Sequence, residues 1–362
     1  MSELRRQLQA LRPELAAAIL EVLDSGWFIL GEGVRRFEAA FAAYLNVAHA
    51  VGVANGTDAL ELALRALGVG PGDRVITAAN AGGYSTIAIH ACGAQAQFVD
   101  VDPDHGGFDR SALSAALDSR PRAIVVTHLY GRLGPVEEVA VAARAAGVAV
   151  LEDCAQAHGA RRGGVFAGAF GDAGCYSFYP TKNLGALGDG GAVVSNDAAI
   201  AGRVRQLRQY GWEEKYRVTL EHGRNSRLDE MQAAVLQVRL AGLDRENARR
   251  RDIAAAYAKG IRNGAIAVPR RGGEDDVVHL FVVRCAQRES LRTHLAAAGI
   301  RSDVHYPVPD HRQPAFAARY GAVSLPATEA LAAEVLTLPS HPALDDGEVA
   351  RVIEACNGFR AR

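Results

Sequence analysis

The sequence predicts an α/β protein, with a mostly parallel sheet covered by helices in a large first domain and a smaller α+β domain after it. Three observations carry this. Apolar runs of four to six residues alternate with segments of helical apolar period, the pattern of strands buried on both faces. The last third instead runs strand, helix, extended piece, helix, helix. The length, 362 residues, exceeds the usual size of one domain, and the division expected is 1–243 and 244–362.

The elements follow in order. A helix is expected over residues 13–23, then the glycine-bounded aromatic loop Gly26-Trp27-Phe28-Ile29-Leu30-Gly31, then an amphipathic helix over 34–45. A strand over 50–54 ends at Asn55-Gly56-Thr57-Asp58, which opens a helix over 59–67. Glycine lets the backbone approach a ligand and the first helical N–H groups favour an anion, so this turn reads as a phosphate cup or as a plain N-cap by Thr57 or Asp58. Strands are expected at 74–79, 97–101, 123–129 and 148–152, with helices after Tyr84, from Ser111 and from Val136 between them. Strands at 174–179 and 191–195 flank a lysine loop, and helices follow at 197–210 and 225–240. The basic run Arg245, Arg249, Arg250 and Arg251 reads as a solvated helix face at the passage to the second domain. That domain holds a strand at 279–285, a helix at 290–298, the extended piece 303–309, and helices at 328–336 and 348–359. His305 and Tyr306, held extended before Pro307, reach a cleft between the domains or end a half-buried strand.

Composition removes several classes of function. Lys+Arg 40 against Asp+Glu 41 argues against a general binder of nucleic acid or of membrane surfaces. Five cysteines without a C-x-x-C pair read as reduced thiols of a cytoplasmic protein, and no His, Cys or Asp spacing makes a metal site. The segment from Met1 to Gln7 lacks the apolar stretch of a signal peptide, and no apolar run is long enough for a bilayer, so a soluble protein is expected.

The chemistry begins with a scarcity. The chain has three lysines, Lys182, Lys215 and Lys259, and only Lys182 lies between an aromatic run and a glycine turn, in Tyr176-Ser177-Phe178-Tyr179-Pro180-Thr181-Lys182-Asn183-Leu184-Gly185. A partly desolvated amine there has a lowered pKa and attacks carbonyl carbon, although a surface lysine at a strand end has the same local pattern. Asp153 stands at the mouth of a buried strand, where a carboxylate pairs with a cationic ligand or caps the next turn. His158 reads as an acid–base group or as a hydrogen-bonded structural histidine. A nucleotide-binding dehydrogenase is disfavoured, because Gly31-Glu32-Gly33-Val34-Arg35-Arg36 lacks the third glycine and follows no strand. A non-catalytic binding or regulatory protein remains a second reading. The third takes the clues jointly: Gly56 and Thr57 for a phosphate, Asp153 for a ring nitrogen and Lys182 for a Schiff base are the handles that hold pyridoxal 5′-phosphate, all after strands of one sheet.

The strings NGTDALELALRALGVGPGD, EDCAQAHGA, CYSFYPTKNLGALGDGGAVV, GRNSRLDEMQAAVL and HYPVPDH resemble the DegT/StrS-type sugar aminotransferases, which have the fold type I of pyridoxal-phosphate transferases. That resemblance implies Lys182 as the Schiff-base lysine, Asp153 on the pyridine nitrogen and Gln156 near the ring hydroxyl. It implies Gly56, Thr57 and Ser177 at the phosphate and Tyr84 stacked on the ring. Asn225 is implied to reach the phosphate of a neighbouring subunit, making a homodimer with shared active sites. GDGG stands where GEGG is usual, and AGGYST departs from the commonest ring-stacking segment. A branch that dehydrates sugars carries histidine in place of the lysine, and Lys182 excludes it. AGGYST, SFYPTKN and HYPVP are similar to enzymes that aminate C3 of nucleotide-linked 3-oxo-6-deoxyhexoses, with L-glutamate as donor and ping-pong kinetics. By that similarity Tyr179, His305 and Tyr306 contact the sugar, and Lys215 with Tyr216 the diphosphate. The alternatives are a 4-keto nucleotide sugar or a free cyclitol as acceptor.

Overall fold

The strands are β1 His49–Val53, β2 Arg74–Thr77, β3 Gln95–Phe98, β4 Ala123–Thr127, β5 Ala149–Asp153, β6 Arg161–Arg162, β7 Val165–Phe166, β8 Ala173–Ser177, β9 Gly191–Ser195, β10 Trp212–Glu214, β11 Arg217–Val218, β12 Phe281–Arg284 and β13 Val335–Leu338. They come from a computed structural model, which describes residues 3–269 and 272–361; Met1 and Ser2, where the reading of the amino terminus began, lie outside them. Seven strands form one sheet in the order β1-β9-β8-β5-β4-β2-β3. Only β9 runs against its neighbours, and the other pairings are parallel.

Side chains alternate between the faces of this sheet, as the two-residue period of a strand requires. Val51, Val53, Val75, Val125, Leu151 and Val193 join one apolar cluster, under the helices Gly56–Ala66, Tyr84–Ala91 and Ala198–Leu207. Ile76, Ile124, Val126, Val150, Tyr176 and Val194 face the opposite way, toward the helices Glu32–Leu45, Arg110–Leu117, Val136–Ala146 and Glu230–Leu240. Both faces are covered, which is why these strands read as continuous apolar runs. Beyond residue 243, the helices Leu243–Gly260, Arg288–Ala297 and Asp346–Gly358 enclose a separate cluster with the antiparallel pair β12 and β13.

Three departures from expectation have physical causes. The helix expected over 328–336 ends at Glu334, and Val335-Leu336-Thr337-Leu338 pairs along β12, from Phe281↔Leu338 to Arg284↔Val335. The helix expected from Asn225 begins at Glu230, whose carboxylate is fixed elsewhere. It accepts the N–H groups of Gly31 at 2.6 Å, Gly33 at 2.7 Å and Val34 at 3.0 Å, capping the helix Glu32–Leu45 from across the fold. A Cβ on Gly33 would lie 2.6 Å from that carboxylate, so the Gly-Glu-Gly stretch serves this cap and not a nucleotide. Finally, the basic run is not uniformly solvated: Arg250 is only 3% exposed.

Candidate active site

Parallel strands deliver their last residues to one edge of the sheet, and the cavity lies there. It measures about 680 Å³. Gly56 and Thr57 after β1, Thr127 at the end of β4, Asp153 at the end of β5, and Ser177 and Lys182 at and after the end of β8 all line it. Ten of the residues singled out from the sequence meet in this cavity: Gly56, Thr57, Tyr84, Asp153, Gln156, Ser177, Tyr179, Lys182, His305 and Tyr306.

Lys182 is half-buried on a loop held by short backbone bonds, its own N–H on the Tyr179 carbonyl at 2.8 Å and the Phe178 N–H on Gly190 at 2.7 Å. Desolvation lowers its pKa from 10.5 to about 8, against the opposing pull of the Asp153 charge. Asp153 is buried, and desolvation raises its carboxyl above the ordinary value. The Ala155 N–H, donating to Oδ1 at 3.1 Å, opposes that rise, as does the Lys182 charge.

The phosphate-cup turn is capped, but by neither Thr57 nor Asp58. Asn55 Oδ1 accepts the Asp58 N–H at 2.8 Å, which leaves the amides of Gly56 and Thr57 at the very start of the helix. A Cβ on Gly56 would lie 2.6 Å from Ser177 Cβ, so glycine lets the ends of β1 and β8 close together. Tyr84 opens its helix, 48% exposed, with its ring edge-on to Tyr306 at 6.4 Å. That helix has no side-chain cap on its own N-cap residue, and its start is tied instead to the segment after His305, through Thr86 Oγ1 donating to the buried Asp310 at 2.5 Å. Gln156 Nε2 donates to the Tyr306 hydroxyl at 3.0 Å while its oxygen accepts the Tyr130 N–H at 2.6 Å. His305 Nδ1 bonds the Thr337 hydroxyl at 2.8 Å, and burial depresses its pKa.

Lys215, Tyr216 and Asn225 do not line the cavity of their own chain. Lys215 and Tyr216 form the turn between β10 and β11, with Tyr216 76% exposed and the ammonium 5.1 Å from its ring centroid. Asn225 is exposed beside Gln209. His158 also lies outside the cavity, buried against Tyr176 and Phe178, where desolvation drives its pKa down to about 3.

Glu152 and Asp153 diverge because successive strand residues point to opposite faces. Glu152 accepts N–H groups from Gly168, Phe170 and Gly171 at 2.7–2.8 Å and meets His128 Nε2 at 2.8 Å. His128 Nδ1 accepts the Gly134 N–H at 3.2 Å, which places the ring proton on Nε2. His128, Glu152 and Cys154 are close enough to suit a metal ion, yet these bonds already occupy the carboxylate and both ring nitrogens.

The sequence reading missed Arg250, His279, Asp303, Ser340 and His341, which complete the wall contributed by the C-terminal part of the chain. His279 Nδ1 meets Asn183 Oδ1 at 3.0 Å, and Asn183 Nδ2 donates to Asn247 and to the Val277 carbonyl. The lysine loop is thereby bolted to that wall. No local motif marks them as cavity residues: Arg250 reads as part of a solvated basic run, and His279 and Asp303 only as the first residues of a strand and of the extended piece.

Residues 9–357 match the DegT/DnrJ/EryC1/StrS aminotransferase family. The chain is 46% identical, over 99% of its length and 96% of the relative's, to a dTDP-3-amino-3,4,6-trideoxy-alpha-D-glucose transaminase of Streptomyces venezuelae. It is 41% identical, over 99% of its length and 98% of the relative's, to a protein of Geobacillus stearothermophilus named a pleiotropic regulatory protein. The crystal structure of S. venezuelae DesV in complex with a ketimine intermediate superposes with a TM-score of 0.95 at 46% identity, covering 98% of this chain and 96% of that one. The match spans nearly the whole chain, strand ends and lysine loop included: the protein is an aminotransferase and belongs to the DegT/DnrJ/EryC1/StrS aminotransferase family.

Proposed function

We propose that the protein is a pyridoxal 5′-phosphate-dependent aminotransferase that converts a nucleotide-linked 3-oxo-6-deoxyhexose of the dTDP class to its 3-amino sugar, with L-glutamate as amino donor. The observation that carries this is one cavity holding a lysine of depressed pKa, a buried carboxylate and a glycine-lined helix start. These residues fit the cofactor. Gly56, Thr57 and Ser177, brought together because position 56 has no Cβ to strike Ser177, would hold its phosphate, Lys182 would bind it through the amine, and Gln156 and Tyr84 would bound the ring. Asp153 would face the ring nitrogen, and a cation there offsets the desolvation that otherwise raises its carboxyl. When bound, the cofactor withdraws electrons from the carbon that carries the transferred nitrogen.

The chain's own groups do the rest. Lys182 is about half neutral near pH 8, and its free amine would be the group that takes up and returns the substrate's proton. Asp153 would keep the ring nitrogen charged. Tyr306 and Gln156, bonded to each other, fix the inner rim, while Tyr179, 53% exposed, and His305 stand where a sugar would enter. The dTDP-amino-sugar transaminase at 46% identity supports the acceptor class.

Lys215, Tyr216 and Asn225 fit this reading as contributions to a neighbouring subunit's cavity in a homodimer. Exposed Trp27, Phe28, Leu187 and Tyr216 support a buried partner surface. Five buried free cysteines support a cytoplasmic setting, and no helix among the described residues is long and apolar enough to cross a membrane. The separate apolar cluster after Ile253 supports the domain division at 243/244.

A second reading, a regulatory protein that binds pyridoxal phosphate without turnover, is favoured by the regulatory name of the Geobacillus relative. An absorbance spectrum decides between them. The protein with pyridoxal phosphate should show the visible band of a lysine adduct, and L-glutamate should abolish it as the amino form appears. A band that persists with every donor favours the regulatory reading. Keto-sugar nucleotides oxidised at C3 or C4, and a keto-cyclitol, should then restore the band selectively for the C3 nucleotide sugar.

A further inference from the structure

One buried acid joins the two segments that carry Tyr84 and Tyr306 into the cavity. Asp310, four residues after Tyr306, is 1% exposed. Its N–H donates to the Ala79 carbonyl at 2.8 Å, and its Oδ2 accepts the buried hydroxyl of Thr86 at 2.5 Å. The Gly83 N–H pulls on the same carboxyl and, with Thr86, opposes the burial that raises its pKa. Asp310 is thus bound to the chain on both sides of Tyr84. At its other end the segment pairs with β13, through Asp303 and Thr337. His305 and Tyr306 lie between these two anchors.

Tyr306 needs such a hold. It lines the main cavity and also a second one of about 100 Å³, whose further walls include Asn80, Pro309 and Leu331. A ring that stands between two spaces is not fixed by packing alone. Gly82 closes against it: a Cβ there would lie 2.9 Å from Tyr306 Cε1, and the turn takes φ of +81° at Gly82 and +86° at Gly83. The departure of AGGYST from the commonest ring-stacking segment therefore has a structural counterpart in HYPVPDH, glycine against Tyr306 and Thr86 against Asp310. As a device for stability alone the acid is a poor one. Its Oδ1 is buried with no partner, a cost that an apolar side chain would not carry.

We propose that Asp310, acting through Thr86, is a positioning residue that sets the spacing of Tyr84 from His305 and Tyr306, and with it the fit of the acceptor sugar over the cofactor. The inference rests on the proposed transamination.

The test separates positioning from stability in holoenzyme. Asp310→Val strands the Thr86 hydroxyl, whereas Asp310→Val combined with Thr86→Val leaves neither partner behind and should unfold close to the wild-type denaturant concentration. Both should raise KM for the keto-sugar nucleotide about 10-fold with a smaller change in kcat. Both should also weaken the visible circular dichroism of the lysine adduct before any substrate is added. Asp310→Asn, which keeps an acceptor for Thr86, should recover part of each loss. A double variant that regains wild-type KM and dichroism together with its stability would make Asp310 a structural group and overturn the inference, as would wild-type values in Asp310→Val. Should Asp310→Val not fold, the double variant and Thr86→Val carry the same comparison. Failure of the proposed function has a different signature: wild-type holoenzyme would then leave L-glutamate and the keto-sugar nucleotide unreacted, and the dichroism of the adduct would still decide the role of Asp310.

Discussion

At Lys182 the burial that makes the ammonium costly also makes the amine usable. The neutral form is the nucleophile, and a pKa of about 8 in place of 10.5 puts half the population in that form at a mildly alkaline pH. Capture of pyridoxal phosphate by the apoprotein should therefore quicken as pH rises and level off above about 8. A rate still climbing toward 10.5, read by rapid mixing across pH, would mean a solvated lysine. This residue was legible because the chain has so few lysines. Arg250 was not, because the same bias surrounds it with other arginines, and a basic run on a helix looks alike whether it faces water or a cavity.

The end of β5 assigns opposite tasks to adjacent acids. Asp153 turns into the cavity, whereas Glu152 turns away and collects three backbone N–H groups and His128. Removing the Glu152 carboxylate strands those donors in a dry place. Glu152→Ala should lower unfolding free energy by about 3–5 kcal/mol, measured by chemical denaturation. Asp153→Asn should leave stability within about 1 kcal/mol and cut turnover about 100-fold or more, without rescue by excess cofactor. The opposite ranking of the two variants would mean that the roles have been exchanged. The strand and its acidic end were visible in the sequence as an apolar run closed by Glu-Asp, but which acid faces the ligand depends on register against β4 and β8.

Across the whole molecule, the cavity has an inner wall from one chain, and Lys215, Tyr216 and Asn225 do not line it. In the proposed dimer with shared sites, a working site would take Lys182 from one subunit and Asn225 from the other, so Lys182→Ala and Asn225→Ala would damage it from opposite sides. Each variant alone should be inactive or nearly so. After the two are mixed and allowed to exchange subunits, about a quarter of wild-type activity should return, because half the dimers are mixed and each of those has one intact site. No recovery in subunits shown to exchange would mean that Asn225 serves its own chain.

The sequence by itself determined the alternation of strand and helix, the lysine, the aspartate and the glycine turn, because each follows a strand within a few residues and strand ends of a parallel sheet share an edge. The tertiary structure alone decided the rest. Val335–Leu338 became a strand because β12 offered it a ladder, and Glu230 became a cap because the amides of Gly31, Gly33 and Val34 lay open across the fold. Arg250, His279 and His341 reached the cavity from positions with no shared local pattern. Such contacts depend on packing between segments far apart in the chain, and a short-range periodicity carries no record of them.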